Sequence, residues 1–322
     1  MPTGTRRIAS GTMPLTYGFI AYGGPDLQRF LDVPAPEPEE GEVLVEVHAA
    51  GVNPVDWKVR AGMHRGFLPL RLPATLGREV AGIVVRTGPG VAGLAVGDRV
   101  MGSTVGGSGG YAELALLPAA RAARMPDGLS FIDAAALPIA AGTAYEGLAT
   151  LGPAPGQTLL ILGAGGGVGT VAAQLAVMGG IAVVGTGSAA KRAFIESLGA
   201  TAVAYDRDDL ARRLQDLLPG GADAVLDLAG GDALDGAAGV ITPRTRVSSV
   251  ADEETVARFG ARPLKRTGDP ATLSAVADLV AAGKLDPCVR RVFPLSAAGD
   301  ALALVEAGHA TGKVVLDVAG QR

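Results

Sequence analysis

The chain has 322 residues, of which 48% are hydrophobic and 19% charged, a composition that predicts about two folded domains and excludes a disordered chain. A formal net charge of −4 argues against nucleic acid or an anionic membrane as partner. The single cysteine, Cys288, excludes an internal disulfide and a cysteine-rich zinc site.

No apolar run approaches the roughly 20 residues of a membrane helix. The segment Met1–Gly11 lacks the apolar core of a signal peptide. We therefore expect a loose N-terminal tail over 1–13 and a cytoplasmic protein.

The first third of the chain is β-rich. Residues Glu42–His48 (EVLVEVH) alternate apolar and polar side chains, which predicts a half-buried strand. A further strand is predicted at Val80–Arg86 and a short one at Arg99–Met101, with glycine-rich turns between them. Short strands at this spacing favour a small barrel.

Beyond Asp133 the pattern becomes strand–helix alternation. A helix over Ala134–Thr150, interrupted at Pro138, precedes the wholly apolar run Thr158–Leu162 (TLLIL), which is typical of a buried parallel strand. Alternation at this length predicts a doubly wound parallel sheet. The remaining predicted elements are helices at Gly169–Met178, Lys191–Leu198, Asp209–Leu218, Thr272–Ala282 and Ala297–Gly308, and strands at Ile181–Gly185, Ala202–Ala204, Ala224–Leu228 and Lys313–Val318.

These patterns predict an α/β protein. A doubly wound parallel-sheet Rossmann domain over 135–266 would be inserted in a β-rich domain split between 1–134 and 267–322.

A glycine-rich turn joins the strand at Thr158–Leu162 to the next helix. Its register is A-x-G-x-x-G, where Gly166 would let a pyrophosphate approach the backbone and Gly169 would let the helix pack against the strand. The strand before it and the helix after it favour a dinucleotide site over a flexible loop. The predicted binding residues are Ala164, Gly165, Gly166, Gly167, Val168 and Gly169.

The end of the second strand bears on the choice of dinucleotide. An NAD site places an acid there for the ribose 2′-hydroxyl, but residues 185–192 (GTGSAAKR) contain none. Ser188 with Lys191 or Arg192 would suit a 2′-phosphate, which favours NADP(H). The alternative is that the two cations are solvated residues at a helix start, where they would oppose the helix dipole.

The chain resembles the zinc-independent, zeta-crystallin-like quinone oxidoreductases of the medium-chain dehydrogenase/reductase superfamily. The order and spacing of several short motifs from about Tyr17 onward carry the resemblance. They are Ala50–Asp56 (AGVNPVD), Leu76–Gly82 (LGREVAG), Gly97–Val100, Gly109–Glu113, Ala134–Thr143, Gly163–Gly169, Leu198–Ala200 and Gly312–Leu316.

The resemblance implies a GroES-like barrel with a Rossmann domain, a homodimer, and hydride transfer from NADPH to an activated double bond or carbonyl. It implies that Asn53 and Asp56 lie at the active-site cleft near the nicotinamide. It also implies that Thr143 touches the cofactor phosphates, that Tyr205 lies near the adenosine phosphate, and that Lys313 reaches the cofactor.

Zinc is not expected. Zinc alcohol dehydrogenases of this superfamily carry a cysteine within the stretch that here reads Val52–Asp56, and a histidine where this chain has Arg78. Arginine is a cation that would repel Zn²⁺, and a catalytic zinc needs three protein ligands.

Without a Lewis acid, a quinone or enone suits the site better than a plain alcohol. Asn53 is a candidate donor to the carbonyl oxygen. His64 is a candidate proton donor, the alternatives being an exposed loop histidine and protonation by water.

Three functions remain open. The first is an NADPH-dependent reductase of a small conjugated carbonyl or quinone. The second is a biosynthetic enoyl or imine reductase or cyclase on the same scaffold, and the third is a non-catalytic NADPH-binding regulatory or structural protein.

Overall fold

A computed structural model describes residues 13–66, 68–106, 108–206, 209–230, 232–250, 253–264 and 266–321, without the side chains of 253–255 and 321. The predicted loose tail lies outside the described residues except for Met13. No helix in the described part of the chain has the length and apolar character needed to cross a bilayer.

The strands of the described residues include a counterpart of each predicted strand, together with others that were not predicted. They are β1 (Tyr17–Phe19), β2 (Gln28–Phe30), β3 (Glu42–Val52), β4 (Ala74–Thr75), β5 (Glu79–Thr87), β6 (Arg99–Ser103), β7 (Leu114–Pro118), β8 (Ala122–Arg124), β9 (Thr158–Leu162), β10 (Ala182–Gly187), β11 (Thr201–Ala204), β12 (Ala224–Asp227), β13 (Arg246–Ser249), β14 (Arg262–Pro263), β15 (Val289–Pro294) and β16 (Lys313–Asp317).

The helices alternate with the strands in the middle of the chain. They are α1 (Pro54–Arg60), α2 (Phe131–Ala135), α3 (Gly142–Leu151), α4 (Gly167–Met178), α5 (Arg192–Ser197), α6 (Leu210–Leu217), α7 (Asp232–Ala237), α8 (Glu253–Arg258), α9 (Pro270–Ala281) and α10 (Ala298–Glu306). The predicted interruption at Pro138 is a π-helical turn over Leu137–Ala141 between α2 and α3.

The chain divides into two compact units. Unit 1 comprises residues 1–124, 292–307 and 315–322, and unit 2 comprises residues 125–291 and 308–314. This division places residues 125–134, 267–291 and 308–314 with the parallel sheet, whereas the predicted ranges assign them to the β-rich domain. Packing units and family domains need not share boundaries, so the ranges 1–134, 135–266 and 267–322 stay a prediction.

Unit 1 is built on an antiparallel sheet. Its strand order is β15-β16-β3-β5-β6-β8, with β7 paired to β3, and a separate small sheet has the order β2-β1-β4. The prediction of a half-buried β3 is wrong: Val43, Leu44 and Val45 are all buried. Leu44 is buried because it packs beside Leu114 and Leu116 of the paired strand β7, and Ala35, Val85 and Val105 pack against this cluster.

Unit 2 contains the predicted doubly wound parallel sheet. All strands of this sheet are parallel, and their spatial order is β11-β10-β9-β12-β13-β14. From β9 the chain first adds strands on one side and then, with β12, on the other side. This is the Rossmann arrangement, in which the ligand crevice lies at the carboxyl ends of the strands where the order switches. Residues Leu159–Leu162 of β9 are each at most 1% exposed. This burial on both faces confirms the interpretation of the apolar run as a central strand.

Candidate active site and cofactor-binding turn

The glycine turn between β9 and α4 is shaped by close backbone contacts. A Cβ on Gly169 would lie 2.4 Å from the carbonyl oxygen of Gly163 and 2.6 Å from the Cα of Ala164. Only glycine fits there, which is the close helix packing predicted for this position. A Cβ on Gly166 would meet the carbonyl oxygen of Gly163 at 3.6 Å and no other atom within 4 Å, so the backbone at Gly166 is open to a ligand.

The turn also presents hydrogen-bond donors. Helix α4 begins at Gly167, and the first N–H groups of a helix have no partner within it and lie at its positive dipole end. The turn is fixed to β10 because Ala164 donates its N–H to the Thr186 carbonyl at 2.8 Å. Gly163 donates its N–H to Thr186 Oγ1 at 3.1 Å. The arrangement is suited to binding phosphate.

Two lysine stems lie on this turn. A Cβ on Gly165 would lie 2.8 Å from Cδ of Lys191, and a Cβ on Gly167 would lie 2.7 Å from Cδ of Lys313. The Lys191 ammonium donates to the Ala310 carbonyl at 2.6 Å, and burial lowers the pKa of this lysine. The Gly312 N–H donates to the Gly165 carbonyl at 3.0 Å. The segment 308–314 therefore holds its cation, Lys313, against the turn.

The residues predicted to recognise the adenosine end lie beyond β10 and β11. Ser188 is half-buried at the start of a short 3₁₀ turn over Ala189–Lys191. Tyr205 donates its N–H to the Gly187 carbonyl at 2.9 Å, and its side chain is exposed. Arg192 is exposed and donates through Nε to Glu196 Oε1 of the same helix at 2.8 Å. Their contacts with a cofactor stay a prediction.

Sequence reasoning missed an acid at this place. The Asp206 carboxylate accepts the Ala189 N–H, with distances of 2.9 and 3.1 Å to its two oxygens. Residues 185–192 contain no acid, but the folded chain has one beside the end of β10, because the segment after the neighbouring strand β11 supplies Asp206. The pairing of Gly187 with Ala204 in the β10–β11 register brings Asp206 beside the turn.

Thr143 lies in the first turn of α3 and is buried. Its hydroxyl donates back to the Ile139 carbonyl in the π-helical turn, an i−4 contact common for threonine in helices. This bond does not test the predicted contact of Thr143 with the cofactor phosphates, which stays a prediction.

In unit 1 the sequence-predicted Asn53 and Asp56 belong to one buried polar cluster. Asn53 caps α1, and its N–H donates to Asp56 Oδ2 at 2.8 Å, which stabilises the first helical turn. Asn53 Nδ2 donates to Glu79 Oε1 at 2.7 Å, and Tyr111 Oη donates to Asp56 Oδ2 at 2.9 Å. All four side chains are at most 4% exposed. Tyr111 was not predicted, because it lies 55 residues from Asp56 along the chain.

The electrostatics of this cluster keep Tyr111 protonated. Burial raises the pKa of Tyr111 well above its ordinary value. The charge of Asp56, the hydrogen bond to Asp56 and the charge of Glu79 raise it further, in that order of importance. The phenol is therefore a fixed neutral donor at physiological pH.

A buried arginine anchors the helix that carries Asp56. Arg60 is 1% exposed, and its Nη2 lies 2.6 Å from Glu306 Oε1 of α10. Its Nη1 donates to Gln28 Oε1 at 3.4 Å. Helix α1 is thus tied to α10 at its C-terminal end, a relation that spans 246 residues and has no local sequence signal.

His64 lies in the turns that follow α1, where it is half-buried. Burial first, and then the charge of Lys58, lowers its pKa below the ordinary value. Its role as proton donor stays a prediction.

Known proteins match the chain along most of its length. The family described as "Alcohol dehydrogenase GroES-like domain" matches residues 39–127, and "Zinc-binding dehydrogenase" matches residues 198–316. The chloroplast envelope quinone oxidoreductase homolog of Arabidopsis thaliana is 33% identical over 94% of this chain and 97% of its own length.

Two further comparisons agree. An Arabidopsis thaliana protein named NADPH-dependent alkenal/one oxidoreductase, chloroplastic, is 33% identical over 92% of this chain and 77% of its own length. The solved structure of the Coxiella burnetii quinone oxidoreductase has a TM-score of 0.85 at 30% identity and covers 95% of this chain and 100% of its own.

The chain belongs to the quinone oxidoreductases of the medium-chain dehydrogenase/reductase superfamily. The predicted fold class, a Rossmann domain with a GroES-like domain, is confirmed. This quinone oxidoreductase family member is an oxidoreductase, and its relatives support a nicotinamide cofactor. Among its described residues, no group of three or more His, Cys, Asp or Glu side chains is arranged to hold a metal ion.

Proposed function

We propose that the chain is an NADPH-dependent reductase that transfers hydride to a quinone, an enone or another conjugated acceptor without a metal. The observation that carries the proposal is the open backbone at Gly166, bordered by the stems of Lys191 and Lys313. The name of the Arabidopsis alkenal/one oxidoreductase supports both the cofactor and the acceptor class.

The turn fits the phosphates of a dinucleotide. The N-terminus of α4 offers N–H donors, Gly166 leaves room for close approach, and two cations lie alongside. Ala164, Gly165, Gly167, Val168 and Gly169 complete the turn that would hold the pyrophosphate. NADPH, when bound, supplies the hydride that reduces the acceptor. Thr143, Ser188, Arg192 and Tyr205 are proposed as further cofactor contacts, with Ser188 and Lys191 at the 2′-phosphate.

Asn53 is proposed to donate to the acceptor's carbonyl oxygen, where negative charge develops as hydride adds to a conjugated system. The bond to Glu79 at 2.7 Å fixes the orientation of the amide. The Asp56 carboxylate positions Asn53 by accepting the backbone N–H of Asn53. Tyr111 in turn donates a hydrogen bond to Asp56.

The reduced acceptor then needs a proton. We propose His64 as its donor, with water as the alternative. Because the pKa of His64 lies below its ordinary value, a His64-dependent rate would rise as the pH falls below about 6.5. This acid limb should be present in the wild type and absent from the His64→Phe variant, whereas identical pH profiles would assign the proton to water.

The absence of a catalytic metal is proposed from the residues themselves. Arg78 stands where zinc enzymes of the superfamily have a histidine, and the stretch Val52–Asp56 has no cysteine. A guanidinium would repel Zn²⁺. The zinc in the description of one matching family is therefore not carried over to this chain. A small-molecule substrate, a homodimer and a cytoplasmic location remain parts of the proposal.

The proposal is tested by following NADPH absorbance with 9,10-phenanthrenequinone and with a simple enone, before and after treatment with a chelator. We expect acceptor-dependent oxidation that the chelator leaves unchanged. Loss of activity after chelation would contradict a metal-free site. Tight NADPH binding without oxidation would support the non-catalytic alternative.

A further inference from the structure

The end of β10 carries an acid supplied by the next strand. Gly187 pairs with Ala204 in the parallel β10–β11 ladder, and the Tyr205 N–H donates to the Gly187 carbonyl. The chain thereby places Asp206 next to the turn after Gly187, where both of its carboxylate oxygens lie within 3.1 Å of the Ala189 nitrogen.

A carboxylate at this point has a known effect on dinucleotide choice. In Rossmann sites an acid at the end of the second strand accepts a hydrogen bond from the ribose 2′-hydroxyl of NAD. The same charge repels the 2′-phosphate that distinguishes NADP. Asp206 reaches that turn from the end of β11 and lies outside the sequence of the second strand.

The cations at the turn have acceptors of their own. The Lys191 ammonium is bonded to the Ala310 carbonyl at 2.6 Å, and Arg192 is paired with Glu196 at 2.8 Å. Attraction of a 2′-phosphate is therefore weaker than the two basic residues alone would suggest, and Asp206 opposes it.

We propose that Asp206 is a specificity-determining residue that lets the cofactor site accept NADH as well as NADPH. This rests on the proposed function, because it concerns the adenosine end of the same nicotinamide cofactor site.

The test compares the full-length wild type with Asp206→Asn by calorimetric titration of 2′,5′-ADP, 5′-AMP, NADPH and NADH. Asparagine keeps an oxygen for the Ala189 N–H and removes the charge. The matched control is Asp216→Asn, which makes the same charge change at an exposed position of α6. No turnover is needed for this readout.

We expect measurable NADH binding to the wild type. In Asp206→Asn, the affinity for 2′,5′-ADP relative to 5′-AMP should rise about fivefold, the effect of removing one exposed charge near another. NADPH relative to NADH should shift in the same direction, and Asp216→Asn should leave both ratios unchanged.

The inference is overturned if both ratios are the same in Asp206→Asn and wild type, or if the wild type binds NADPH but not NADH. If the protein reduces an acceptor with NADPH but the affinity ratios do not change in Asp206→Asn, this inference is overturned and the proposed function stands. A shift in the ratios without reductase activity would support the inference and remove only the catalytic proposal.

Discussion

The phenolic hydroxyl of Tyr111 donates to Asp56 Oδ2 at 2.9 Å, and both side chains are no more than 1% exposed. The same carboxylate oxygen accepts the Asn53 N–H. A neutral phenol held against a buried carboxylate thus supports the cap of α1, and with it the position of Asn53.

Removal of this phenol should destabilise the fold. The Tyr111→Phe variant leaves a buried carboxylate with one hydrogen bond fewer, so we expect the free energy of unfolding to fall by about 1–3 kcal/mol. Urea denaturation measures the change. The control is Tyr145→Phe, because Tyr145 is 39% exposed. Equal stability of the two variants would contradict the role of the buried bond.

The raised pKa of Tyr111 also has a pH signature. Above the unfolded value of about 10 the folded chain binds more protons than the unfolded chain, so Tyr111 makes the free energy of unfolding fall as the pH rises. Its stabilisation is present below pH 10. The Tyr111→Phe variant should show a shallower loss of stability at alkaline pH.

Asn53 is the residue on which the proposed chemistry depends most. In Asn53→Ala we expect kcat to fall by about 10²–10³-fold, the usual effect of removing one donor to a developing oxyanion, while NADPH affinity is unchanged. The control is Ser130→Ala, which removes the cap of α2, where Ser130 Oγ accepts the Asp133 N–H at 3.0 Å. A similar loss of kcat in both variants would contradict a specific role of the Asn53 amide.

Substitutions at two glycines of the cofactor turn should have different effects, one on NADPH binding and the other on the stability of the fold. Gly166→Ala adds a Cβ that meets only one atom within 4 Å, at 3.6 Å. We expect normal stability and NADPH affinity lower by about tenfold or more. Gly169→Ala drives a Cβ to 2.4 Å from a carbonyl oxygen, so the free energy of unfolding should fall by about 1–3 kcal/mol.

Thermal unfolding and NADPH titration of both variants check this pair. Unchanged NADPH affinity in a folded Gly166→Ala variant would contradict the assignment of the turn as the phosphate site.

Cys288 should be chemically inert in the folded protein. Burial, followed by the charge of Asp286, raises the pKa of its thiol from 9.0 to about 11, and only the thiolate is nucleophilic. Alkylation by iodoacetamide at pH 8 should be about 100-fold slower in the native than in the urea-unfolded chain, since two pKa units separate them. Equal rates would show an exposed, ionised thiol.

Patterns within single segments predicted much of the fold. The apolar run of β9, the glycine turn and the alternation of strands with helices were sufficient for the parallel sheet, because they depend on local periodicity and turn chemistry. The error at β3 has a different origin. Leu44 packs beside Leu114 and Leu116, which lie on the paired strand β7 about 70 residues away along the chain.

The same distinction applies to the candidate site. Asn53, Asp56 and the glycine turn lie in recognisable local motifs. Glu79, Tyr111, Arg60 and Asp206 owe their positions to contacts between distant segments. Residues 185–192 at the end of β10 contain no acid, but the register of β10 with β11 brings Asp206 to that turn.

The most direct test of the central claim follows the hydride itself. The protein is incubated with NADPH deuterated at the transferable C4 position and with a simple enone, and the product is analysed by mass spectrometry and NMR. We predict one deuterium on the β-carbon of the saturated ketone. A product without deuterium at that carbon, or no product while NADPH remains bound, would contradict reduction of a conjugated acceptor.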